Sequence, residues 1–131
     1  MNKAGNNKSP KMDILLVDDE KAFVQAVAEG IGLFGGRCNV ITAENGKKAL
    51  EMLNTALFDL VITDLKMPVM DGFELLEHMR HMKRKRPGTR VMVMSFLGGP
   101  EVLERLNELG VKQIIEKPAD IGTIMSRIMN A

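Results

Sequence analysis

Apolar residues follow two periods along this chain, and the periods alternate. Short, near-continuous runs at Met12–Val17, Asn39–Ala43, Leu60–Thr63, Arg90–Met94 and Gln113–Glu116 predict five strands. After each, apolar residues recur every three or four positions, which predicts a helix. The first helix runs from Lys21 to about Phe34, with Phe23, Val24, Val27, Ile31 and Phe34 on one face, and Gly35-Gly36 stop it. The second, about Lys47 to Leu57, buries Ala49, Leu50, Leu53 and Leu57. The third, Gly72 to about Lys83, turns Leu75, Leu76, Met79 and Met82 inward before Pro87-Gly88 break the chain. The fourth, about Glu101 to Leu109, buries Val102, Leu103, Leu106 and Leu109 and closes at Gly110. Asp120 caps a fifth, with Ile121, Ile124, Met125 and Ile128 inward.

Strands that are apolar throughout need cover on both faces. The expected fold is therefore α/β, a doubly wound five-stranded parallel sheet between two layers of helices. Right-handed crossovers put the C-terminal end of every strand on one edge. Ligands of such folds bind at that edge, where the strand order reverses.

Composition narrows the class. The 131 residues suit one domain, read as a polar tail over 1–11 and a folded domain over 12–131. Apolar residues make up 45%, enough for a core, and the net charge of +1 offers no field for direct nucleic-acid or membrane binding. The lone Cys38 excludes an internal disulfide framework and fits a reducing cytoplasm. No apolar run reaches membrane-span length, and the tail lacks the hydrophobic stretch of a signal peptide. The run Lys83-Arg84-Lys85-Arg86 reads as a solvated helix end that complements the helix dipole. Of the 11 methionines, Met79, Met82, Met92 and Met94 are expected to fill the core.

The polar residues at the strand ends carry the chemistry. Asp18-Asp19 follow the first strand, Asp64 the third, Ser95 the fourth and Lys117-Pro118 the fifth. Singly, each has an ordinary use as a helix cap, a turn or a strand end. Gathered on one edge, three carboxylates repel one another unless a hard cation sits among them. Mg²⁺ suits such oxygen donors. Asp19 and Asp64 are candidate direct ligands, with the Lys66 backbone carbonyl as a third and Asp18 acting through water. Asp64 is also a candidate nucleophile, since a carboxylate can attack phosphorus without a general base. Lys117 and the Ser95 hydroxyl would then bind phosphoryl oxygens.

These residues resemble the receiver domain of bacterial two-component response regulators, from about Asp13 to Met129. The likeness rests on Leu16-Val17-Asp18-Asp19-Glu20, Asp64-Leu65-Lys66-Met67-Pro68 with Met70-Asp71-Gly72, Ser95, and Lys117-Pro118. It implies a flavodoxin-like strand order 2-1-3-4-5 and five helices. It also implies transfer of a phosphoryl group onto Asp64 from a sensor histidine kinase or phosphotransfer protein, with Mg²⁺ and Lys117 required. The chain would catalyse only its own phosphorylation and dephosphorylation. Phosphorylation would redraw the surface of the fourth helix, fifth strand and fifth helix, where a downstream protein or an output domain outside this chain binds.

Five residues depart from the family pattern. Ile114 replaces the usual Tyr or Phe three residues before the lysine, and Phe96 replaces a small residue after the hydroxyl. The expected switch set is therefore Ser95, Phe96 and Ile114, with Phe96 packed over the site and taking up part of the missing ring's role. Phe96 and Leu97 are expected to slow hydrolysis by excluding water. Val69 stands where glycine is frequent, and modest loop stiffening is expected. Lys112-Gln113 replace acidic residues common in salt-bridged DNA-binding dimers. The alternative is a pseudo-receiver, an interaction module of this fold that signals without phosphate. An aspartyl phosphatase is disfavoured because Lys66 occupies the place of its second acid, and a flavin-binding relative because no phosphate loop follows the first strand.

Overall fold

The structure, a computed structural model, describes residues 11–33, 37–82, 88–96 and 98–130. Residues 1–10 of the tail expected over 1–11, Phe34 with the Gly35-Gly36 stop, the basic run 83–86 with Pro87, and Leu97 lie outside the described residues. The elements are β1 (Met12–Val17), α1 (Lys21–Leu33), β2 (Cys38–Ala43), α2 (Gly46–Thr55), β3 (Leu60–Thr63), α3 (Gly72–Arg80), β4 (Arg90–Ser95), α4 (Pro100–Glu108), β5 (Gln113–Glu116) and α5 (Ile121–Asn130).

The strands form one parallel sheet in the order β2-β1-β3-β4-β5, the flavodoxin-like order. The switch in order falls between β1 and β3. The register makes their ends flush, with Val17 beside both Ala43 and Thr63, and Thr63 beside Val93. Asp18 and Asp64 therefore leave neighbouring strands at the same level.

The two-residue period of the strands divides the core. Leu15, Val17, Val61 and Val93 face one cluster with Ala49 and Leu53 of α2, Leu75 and Leu76 of α3, and Leu106 of α4. Ile14, Leu16, Leu60, Ile62, Met92 and Met94 face the other, with Val27 and Ile31 of α1 and Ile124, Met125 and Ile128 of α5. Each fully buried Leu or Ile contributes about 1.5–3 kcal/mol of transfer free energy. Both faces are thus covered, as apolar strands require.

Helix ends follow local chemistry. Asn45 Oδ1 accepts from Lys48 N at 2.9 Å to start α2. Asp71 and Glu74 form a reciprocal capping box at α3. Asp120 Oδ1 accepts from Thr123 N at 2.7 Å, as the sequence predicts, and that N–H holds its carboxyl below the ordinary value. Two expected core residues are corrected. Leu57 is 44% exposed because α2 stops at Thr55, where Ala56 N already bonds Met52 O, leaving Leu57 in the connecting turn. Leu103 is 46% exposed because Val102, Leu106 and Leu109, spaced four and three apart, carry the inward stripe and leave Leu103 about a hundred degrees round the helix. Among the described residues no helix is long and apolar enough to cross a membrane.

Candidate functional site

Asp64 follows β3 directly, and its side chain has three hydrogen-bond partners. Its Oδ1 accepts from Leu65 N at 2.6 Å and from Ser95 Oγ at 2.6 Å, and its Oδ2 from Lys117 Nζ at 3.1 Å. Its backbone carbonyl accepts from the Thr63 hydroxyl at 2.8 Å. Gly72 fits against that same carbonyl, which a side chain at 72 would strike. The start of α3 and the end of β3 therefore pack backbone on backbone, and this close approach explains the glycine.

Asp18 is buried beside it. Its Oδ2 accepts from Lys117 Nζ at 2.9 Å and its Oδ1 from Glu20 N at 3.0 Å. Burial pushes its carboxyl above the ordinary value, and the nearby Asp64 charge adds to that. The Lys117 and Glu20 hydrogen bonds oppose the rise without cancelling it. Lys117 is likewise buried, which alone would lower its pKa, but its bonds to Asp18 and Asp64 outweigh burial and hold it above the ordinary lysine value. The ammonium is thus secured in its charged form. The Lys117–Pro118 peptide is cis.

Asp19 is exposed and, among the described residues, has no side-chain partner. Oxygens of Asp18, Asp19 and Asp64 nonetheless all lie within 4.8 Å of one another. This is a hard, all-oxygen donor set, the chemistry that suits Mg²⁺. The residues present fit such an ion. Asp18 and Asp64 already spend oxygens on Lys117, whereas Asp19 has both to give. Lys66 lies in the loop after Asp64 and lines, with Asp19, a shallow surface hollow.

The expected switch residues are less united. Ser95 is buried at the site, whereas Phe96 is 65% exposed, with its ring still presented to Lys117 at the edge of the site. Its ring centroid is 5.7 Å from Lys117 Nζ. Ile114 packs against the apolar cluster beneath α2, α3 and α4. Its carbonyl accepts from Arg127 Nη1 at 3.0 Å. Val69 has φ +71°, in the left-handed region that suits glycine and strains a β-branched residue. The stiffening expected of it is therefore accompanied by backbone strain.

Two residues at the site went unread in the sequence. Phe23, expected only in the helix core, places its ring centroid 4.1 Å from Lys117 Nζ. Nothing in the sequence signals a contact spanning that separation. Thr63, expected only as a strand residue, anchors the Asp64 carbonyl, and a hydroxyl in an otherwise aliphatic strand was the available signal.

Known proteins resemble this chain in sequence and fold. The family model described as the response regulator receiver domain matches residues 14–129. A response regulator receiver protein from Anaeromyxobacter sp. (strain Fw109-5) is 33% identical over 85% of this chain and 44% of its own length. A cyclic di-GMP phosphodiesterase from Thermotoga maritima is 30% identical over 92% of this chain and 31% of its own length. The chain thus spans less than half the length of these two relatives. The chemotaxis response regulator CheY4 of Vibrio cholerae superposes with a TM-score of 0.82 at 27% identity, covering 92% of this chain and 98% of that one. A CheY-like receiver domain protein from Methanospirillum hungatei JF-1 gives 0.82 at 26% identity, with 93% of each chain covered.

Proposed function

This chain belongs to the response regulator receiver family, and we propose that Asp64 accepts a phosphoryl group from a phosphohistidine on a sensor histidine kinase or phosphotransfer protein. The observation that carries this reading is the convergence of Ser95 and Lys117 on opposite oxygens of one carboxylate. Those two donors suit the oxygens of an arriving phosphoryl group.

An Asp64 oxygen attacks the donor phosphorus, forming an O–P bond as the donor's N–P bond breaks. The imidazole leaves with that electron pair and takes up a proton. Lys117 moves its charge from the Asp64 carboxylate to a phosphoryl oxygen, and the Ser95 hydroxyl turns to another. Asp19, Asp64, the Lys66 carbonyl and, through water, Asp18 would hold Mg²⁺, which when bound supplies positive charge to the phosphoryl oxygens. We assign the receiver domain to residues 12–131, with 1–11 as a tail. In this reading the chain is a signalling module, and the surface of α4, β5 and α5 changes with phosphorylation to engage a downstream protein or an output domain.

The test is incubation with a small phosphodonor and Mg²⁺, followed by intact-mass measurement. A single phosphoryl adduct that Asp64→Asn abolishes is expected. No adduct from either the small donor or a phosphorylated kinase would overturn the proposal in favour of a phosphate-independent module.

A further inference from the structure

Lys117 Nζ has three N–H bonds, and two are spent on Asp18 and Asp64 at 2.9 and 3.1 Å. Among the described residues no third acceptor reaches it. The Phe23 ring does, with its face toward Nζ and its centroid 4.1 Å away. The electron-rich face of a ring attracts a cation without adding charge, most strongly where water is excluded. The Lys117 side chain is 4% exposed, so water is excluded here. Phe23 itself is the third residue of α1 and is braced on the α1–α5 apolar cluster.

We propose that Phe23 is a positioning residue for phosphoryl transfer, holding the Lys117 ammonium in place while its carboxylate partners change. This rests on the assignment of Asp64 as phosphoryl acceptor. Before reaction two carboxylates fix Lys117. During reaction Asp64 becomes an acyl phosphate and no longer offers Lys117 a free carboxylate, so that anionic hold weakens while the one from Asp18 remains. The Phe23 ring, with the Phe96 ring farther off at 5.7 Å, holds the ammonium without competing for phosphoryl oxygens. Its loss is therefore felt more in the transition state, where one carboxylate hold is going, than in the ground state, where two remain, and that difference is what changes a rate. An aliphatic side chain would fill the space but leave the third N–H without a partner. An acidic one would compete with the phosphoryl oxygens for the ammonium.

The discriminating experiment varies the charge on the ring face at nearly constant shape. Phenylalanine analogues with one, three and five ring fluorines are placed at 23 in the full chain. Phosphorylation of Asp64 by a small phosphodonor and Mg²⁺ affinity are measured for each, alongside Phe23→Leu and Phe23→Tyr. The expected result is a graded fall in phosphorylation rate, about three- to tenfold across the fluorine series and in Phe23→Leu, with Phe23→Tyr close to the parent. Mg²⁺ affinity should stay within about twofold throughout, since the ring acts on the ammonium and adds no charge among the carboxylates. A parent protein that is phosphorylated at one rate regardless of ring fluorination overturns this inference alone. A parent protein that forms no adduct overturns it together with the Asp64 assignment.

Discussion

The acidic corner, drawn from the ends of β1, β3, β4 and β5, and an outer corner formed by Phe96 after β4 and Ile114 within β5 are held by different forces. In the acidic corner Asp18, Asp64, Ser95 and Lys117 form a closed network in which each side chain has at least one partner shorter than about 3.2 Å, the usual hydrogen-bond limit. In the outer corner Phe96 stands in solvent, and Ile114 is fixed by general apolar packing and one hydrogen bond to its carbonyl. The first arrangement pins geometry, as phosphoryl transfer demands. The second leaves the Phe96 side chain with few contacts to hold it, which suits the surface change proposed above. Four substitutions probe that contrast, from the largest expected effect to the smallest.

Lys117→Met strikes the network at its hub. It strands one buried carboxylate, Asp18, and one half-buried, Asp64, and losing one partner of a buried ionic group costs about 3–5 kcal/mol. Chemical denaturation without metal should show a loss of about that size, and added Mg²⁺ should restore stability more than in the parent. Asp18→Asn tests the same network from its costly side. Burial raises the Asp18 carboxyl in the folded state, so the folded protein binds that proton more readily than the unfolded chain. The parent without metal should therefore gain stability as pH falls through the raised value toward 3.8, and Asp18→Asn should lack that gain. The substitution should leave the metal-free protein as stable or more stable at neutral pH, while denaturation curves lose their response to Mg²⁺.

Val69→Gly probes the loop between the two corners. Relief of the positive φ outweighs the entropy of an added glycine, and a gain of about 1 kcal/mol is expected by denaturant midpoint. Phe96→Ala should change stability least, within about 0.5 kcal/mol, because the ring is largely exposed. It should nonetheless shorten the lifetime of the phosphoryl group, read by timed intact mass. Equal decay in the two proteins would show that Phe96 shields nothing.

The same contrast governs what could be read from sequence. Strand ends are legible because apolar runs stop abruptly, so Asp18, Asp64, Ser95 and Lys117 declared themselves by position. The five strands and their cover on both faces followed from the two periods, and the strand order from the resemblance to the receiver family. Leu57 and Leu103 misled because a helical stripe tolerates a residue to either side, and only the point where α2 stops or the roll of α4 decides which is covered. The Phe23 ring over Lys117 was illegible for another reason. A cation over a ring face has no spacing rule, and the two residues meet only once the sheet has formed.

The bond from Lys117 to Asp18 joins residues 99 apart in sequence, and that from Lys117 to Asp64 joins residues 53 apart. During synthesis the acidic residues leave the ribosome long before the lysine that neutralises them. Until β5 is laid beside β4, the nascent chain carries its aspartates but lacks the ammonium that completes the pocket. On the role proposed for Asp64, competence to take a phosphoryl group arrives late, with β5, and a chain still being made is kept silent by its own topology.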